Sequence, residues 1–83
     1  MKRSKAERLL QARSVYDVLA ITSPNTARYL RLTTAALLPP VERGHVMGTR
    51  GGPERLARAF LDAQGETPQA RALAAYQAAW GRQ

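Results

Sequence analysis

Apolar residues recur along this chain at helical rather than strand spacing, and polar or proline-containing breaks divide them into short segments. Ser4-Lys5-Ala6-Glu7 has the pattern of a capping box. With Leu9 and Leu10 behind it, available to cover the next two helices, it predicts a first helix over residues 5–13. Ser14, followed by Asp17 three residues on, predicts a second N-terminus. Val15, Val18, Leu19 and Ile21 then give an apolar side about two turns long. No glycine or proline separates these segments, so one continuous helix over 5–21 is the competing reading. Thr22-Ser23-Pro24 interrupts the pattern, because the residue before a proline is pushed out of the α region. The same tripeptide opens a new helix, with Ser23 as N-cap and Pro24 at the first helical position. Ala27, Leu30, Thr34 and Leu37 share its core face until Pro39-Pro40 stops it.

Residues 41–52 change character. Gly44, Gly48, Gly51 and Gly52 break up short apolar pairs, with Arg43, His45 and Arg50 between them. Two readings are open: a short β-hairpin wing whose arginines reach a nucleic-acid backbone, or a mobile Gly-rich loop. The Gly-Lys-Ser/Thr ending of a phosphate loop and the spacing of a dinucleotide fingerprint are both missing. From Pro53 to Gln64 the pattern is clearest, with Leu56, Ala59, Phe60 and Ala63 at i, i+3, i+4 and i+7 and Gly65 expected at the C′ stop. Thr67-Pro68 opens a last, alanine-rich helix that ends at Gly81. Its aligned Leu73, Tyr76 and Trp80 serve either the core or the surface of a homodimer. The fold class expected is mainly α: one small domain of four to five helices. It divides into a helix-turn-helix over 14–38, a Gly-rich wing or loop over 41–52 and two C-terminal helices over 53–81.

Charge sharpens this picture. The 83 residues carry a formal net charge of +7. Residues 1–58 hold eleven Lys or Arg against four acids, whereas residues 59–83 hold Arg71 and Arg82 against Asp62 and Glu66. The whole excess therefore lies in the part that contains the paired helices. Such a field concentrates polyanions and steers their approach. Biased use of arginine is the alternative source, although bias alone would not leave the last stretch balanced. Lys2, Arg3, Lys5 and Arg8 could touch phosphates or form a solvated helix end.

On the helix begun at Pro24, Asn25, Arg28, Tyr29 and Arg31 are turned away from the core face or lie on its border. Asn pairs with the edge of adenine and Arg with that of guanine in the major groove, and both can contact phosphate. The plainer alternative makes Arg28 and Arg31 solubility charges and Tyr29 half-buried packing. Residues 14–31 resemble a helix-turn-helix, and Ser23-Pro24-Asn25-Thr26-Ala27-Arg28-Tyr29 is similar to the start of the recognition helix in MerR-type regulators and their excisionase relatives. Leu37-Leu38-Pro39-Pro40-Val41-Glu42-Arg43 resembles the segment that enters the wing in that group, and Pro53 to Leu61 stands where the group begins its next helix. The run from Arg28-Tyr29 to Leu37-Leu38 is longer than in the group, and Gly44-His45-Val46 replaces its Gly-Tyr-Arg. The resemblance implies double-stranded DNA as partner. Ser23, Asn25, Thr26, Arg28, Tyr29 and Arg31 are then expected at the DNA, joined by Arg43 and Arg50 from residues 41–52.

Catalytic chemistry finds little to work with. His45 stands alone in its Gly-rich stretch, the carboxylates are scattered singly among arginines, and there is no cysteine. No catalytic residue, metal, cofactor or small-molecule substrate is therefore expected. The basic start lacks the apolar core of a signal peptide and no apolar run approaches membrane length, which predicts a cytoplasmic protein without membrane contact. The function expected is sequence-specific binding of duplex DNA, as a small transcriptional regulator or excisionase-like accessory factor of a phage or plasmid. An RNA-binding helical module and a phage-type protein that inhibits a host nucleic-acid enzyme are the alternatives.

Overall fold

Each helix of this protein begins where local chemistry satisfies its first N–H groups or makes one of them unnecessary. A computed structural model describes residues 4–81 and places six helices there: α1 (Lys5–Leu10), α2 (Val15–Thr22), α3 (Pro24–Ala36), α4 (Pro40–Gly48), α5 (Gly52–Asp62) and α6 (Pro68–Trp80). Lys2, Arg3 and Arg82 lie outside the described residues. Ser4 and Glu7 form the reciprocal capping box, at 3.1 and 2.8 Å. Ser14 and Thr67 accept backbone N–H bonds from Asp17 and Ala70 at 3.1 and 3.0 Å. Proline stands in the first turn of α3, α4, α5 and α6, where its fixed φ and missing N–H cost nothing. Residues 11–14 are not helical, so the continuous helix over 5–21 does not form.

The mainly α class expected from the sequence is the one observed, with one helix more. Residues 40–48 form α4 instead of a wing or a loop, and there is no strand among the described residues. Glycine at 44 and 48 costs a helix about 1 kcal/mol each. Burial of Val46 among Leu38, Leu56 and the α6 alanines offsets that cost, and Pro40 supplies the start. Gly51 then turns the chain at φ 71°, a conformation that favours glycine. Beside it, a Cβ on Gly52 would collide with the carbonyl of Val46, so the α4–α5 corner closes only with glycine. Gly65 also departs from expectation. Its φ is not positive, so it is no left-handed helix stop; α5 ends at Asp62, and Gly65 lets its loop press against the backbone of Arg71, 2.5 Å from where a Cβ would stand.

Helix α5 lies at the centre and touches α2, α3, α4 and α6. Its neighbouring residues Leu56 and Ala57 enter two different apolar clusters. One gathers Ala35, Leu38, Val46, Leu56, Ala72 and Ala75, with Leu37, Phe60, Leu73, Tyr76 and Trp80 around them. Tyr16, Ala27 and Ala57 form the other, with Leu19, Ala20, Leu30 and Leu61. Leu73, Tyr76 and Trp80 are thus engaged in the protein's own core, leaving half-exposed edges to any second copy. The inward face of α2 is Tyr16, Leu19 and Ala20, whereas Val15 and Val18 point to solvent. The large ring of Tyr16 removes more apolar surface from water than either valine could. Leu10, 86% exposed, covers no other helix.

Two substitutions test this packing. Leu56→Ala should lower stability by about 2–5 kcal/mol, because Leu56 is fully buried where four helices meet. The hydroxyl of Thr34 is buried without a hydrogen-bond partner, so Thr34→Val should raise stability by about 1 kcal/mol. Urea denaturation of both variants measures the two shifts and their opposite signs.

Candidate nucleic-acid interface

A single non-helical residue, Ser23, joins α2 to α3. Its N–H donates to Leu19 O at 2.7 Å, the last bond of α2, and its carbonyl accepts from Ala27 at 3.1 Å, the first of α3. The hydroxyl of Ser23 donates to Thr26 Oγ1 at 2.7 Å instead of capping a backbone N–H. This joint, tighter than the tripeptide break expected, leaves the two helices little freedom to reorient.

The inner side of α3 carries Ala27, Thr34 and Ala35, all buried. That fixes the opposite side. Asn25, Thr26, Arg28, Tyr29 and Leu32 are exposed there, Tyr29 to 69% and Leu32 to 51%. Asn25, Arg28, Tyr29 and Leu32 form a stripe at helical spacing. Their side chains have no hydrogen bond or ion pair with other described residues. Leu32 was not among the residues expected, although its offsets of seven from Asn25 and four from Arg28 are the signal that finds it.

Arg31 takes a different position. It is half-buried, and its Nη1 donates to the hydroxyl of the fully buried Tyr16 at 2.7 Å. A phenol removed from water needs such a partner. Arg43 is exposed but also has partners within the molecule: from α4 its Nη2 donates to the carbonyls of Leu38 at 2.9 Å and Ala36 at 3.3 Å, closing the end of α3. Arg31 and Arg43, both expected at the DNA, thus have intramolecular partners. Arg50, on the turn after α4, is exposed without a hydrogen bond or ion pair to other described residues.

Other arginines repeat this use. Arg71 donates from Nε to Phe60 O at 2.8 Å and from Nη2 to Leu61 O at 3.2 Å, while its guanidinium lies 4.3 Å from the centre of the Phe60 ring. Arg55 bonds the carbonyl of Ala79 and lies 4.7 Å from the Trp80 ring centre. Arg58 pairs with Asp17 at 3.0 Å and faces the Tyr16 ring at 5.4 Å. Partial burial pulls the Asp17 carboxyl towards a higher pKa. The Arg13 backbone N–H, the Arg58 guanidinium and the Ser14 hydroxyl outweigh it, and the net direction is downward.

His45, expected to stand alone, has neighbours because residues 40–48 are helical. Its Nδ1 lies 2.7 Å from the Tyr76 hydroxyl, and its ring meets Trp80 edge-on at 5.8 Å. Among the described residues no three of His, Cys, Asp and Glu are grouped to hold a metal ion. A cleft of about 480 Å³ between the α3–α4 corner and α6 is lined mainly by Leu37, Leu38, Pro39, Pro40, Ala70 and Leu73, with Arg43 and Gln69 as its polar members. No helix of the described residues is long and apolar enough to cross a membrane. Comparison with protein-family models, curated proteins and solved structures finds no match to this chain.

The division among arginines is directly measurable. Arg43→Ala and Arg71→Ala should each lower stability by about 1–2 kcal/mol, since each uncovers carbonyls at a helix end, while Arg28→Ala and Arg50→Ala should leave melting unchanged. Asp17 adds a pH dependence. Its folded pKa lies below the unfolded one, so its contribution is present above the ordinary carboxylate range and is lost as pH falls through the folded value. Asp17→Asn should cost about 0.5–1 kcal/mol at neutral pH and progressively less as pH falls below the ordinary carboxylate range, as read from urea denaturation across a pH series.

Proposed function

We propose that this protein binds duplex DNA in a sequence-specific way through α3, as a small helix-turn-helix regulator or excisionase-like accessory factor acting in the cytoplasm. One observation carries the reading. The outward stripe of α3 presents Asn25 and Arg28 without intramolecular partners, on a helix fixed to α2 by a one-residue joint. These two side chains have the donor and acceptor patterns that select adenine and guanine in the major groove. Helix α2 with its short link to α3 supplies the platform that holds such a helix against a groove. The net charge of +7 supplies attraction to phosphate whatever the sequence.

Within this reading the residues have distinct tasks. Asn25 and Arg28 contact base edges, with Thr26 and Tyr29 at the border of the groove. Arg28 and Arg50, with Lys5, Arg8 and Arg13, are exposed cations available to phosphates. Ser23 and Arg31 hold the geometry of the two helices and do not reach the duplex. Arg43 closes α3 from below.

Selection of bound fragments from random duplex DNA, followed by salt titration of the winner, tests the proposal. With about five cations engaged, the logarithmic salt slope should be about −4 to −5. Arg28→Ala should weaken the selected duplex by about 1–3 kcal/mol and erase preference at one or two positions. Arg28→Ala and Arg50→Ala should each reduce the slope by about one unit, whereas Arg71→Ala and Arg43→Ala should not. Tighter saturable binding to hairpin RNA under the same salt would replace DNA with RNA as partner. If neither nucleic acid binds at low salt, the basic face serves a protein partner instead.

A further inference from the structure

We propose that Leu32, with Tyr29 beside it, packs against the C5-methyl groups of thymine, so that the duplex is chosen partly by apolar contact in the groove. The inference rests on the duplex-binding reading above and assigns a role to Leu32, which that reading leaves unused. Leu32 and Tyr29 are the large apolar members of the stripe; Leu32 belongs to neither apolar cluster, and Tyr29 is exposed to 69%. Their offset of three places them together on the surface of α3.

The order of side chains along the stripe gives the geometry. A helix rises 1.5 Å per residue, so Asn25 and Leu32 stand about 10 Å apart along the axis, with Arg28 between them. That length spans about three base steps at 3.4 Å each. Asn25 and Arg28 both offer polar contacts. Leu32 offers none, and the one base-edge feature in the major groove that favours an aliphatic side chain is the thymine methyl. Charge complementarity favours a polyanion over a neutral apolar partner, because Arg28 stands one turn from Leu32 with no acid paired to it.

The experiment uses the duplex recovered from random DNA, synthesised either with thymine or with deoxyuridine at each thymine in turn. At one or two positions, loss of the methyl should weaken binding about four-fold, the worth of one buried methyl group. Leu32→Ala should bind the thymine and deoxyuridine duplexes equally. Leu32→Gln, which keeps length and removes the apolar end, should do the same. Asn25→Ala should bind more weakly yet retain the four-fold difference. Equal binding of both duplexes by the wild-type protein, or a difference that survives in both Leu32 variants, would overturn the methyl contact and leave duplex binding in place. Absence of saturable binding to any duplex would overturn both.

Discussion

Short helices have a problem at their ends: the last four carbonyls of each lack a partner within the helix. In this protein, guanidinium groups from neighbouring elements take three of those ends. Arg43 of α4 closes α3, Arg71 of α6 closes α5, and Arg55 of α5 closes α6. Each donor reaches the negative end of another helix, where a cation is favoured, and Arg55 and Arg71 also cover an aromatic ring. The helices are thereby tied end to side as well as face to face. For a domain whose largest helices have 13 residues, this supplements a core built largely from alanine.

The same principle sets the orientation of α3. Helix α5 sends Leu56 into one cluster and Ala57 into the other, and α3 follows it, with Ala27 in the second cluster and Ala35 in the first. A helix held at both ends of its inner face cannot roll. Arg31 adds a polar tie, because its bond to Tyr16 lets a phenol be buried without losing its hydrogen bond. Exposure of Asn25, Arg28, Tyr29 and Leu32 is therefore a consequence of packing on the opposite side.

Much of this is legible in the sequence. Ser4, Ser14, Thr67 and the prolines mark helix starts by chemistry that acts within a few residues, and the structure begins helices there. Residues 41–52 were not legible in the same way. Glycines at 44 and 48 argue locally for a loop, and only the distant packing of Val46 against Leu56 and the α6 alanines reverses that. The candidate surface divides along the same line. Asn25 and Arg28 follow from helical phase, which is local. Arg31 and Arg43 look like Arg28 in sequence, yet their partners, Tyr16 and the end of α3, are brought within reach only by the fold.

That division changes how the charge of +7 should be understood. A guanidinium bonded to a carbonyl or a phenol keeps its full charge, since neither partner is ionised. Among the pairs described, Arg58 with Asp17 is an ion pair and cancels. Arg31, Arg43, Arg55 and Arg71 therefore still contribute to the long-range field while their donors are occupied. The two effects separate experimentally because they have different reach. Long-range attraction acts over a Debye length of about 10 Å at moderate salt and sets the rate of encounter with a polyanion. Contact with phosphate needs free donors at the surface and sets the release of counterions. Arginines that hold helix ends together can in this way speed the approach of a polyanion without touching it. Their abundance serves the fold and the field at once, and under the duplex-binding proposal the specific contacts fall to the few polar side chains that α3 leaves uncommitted.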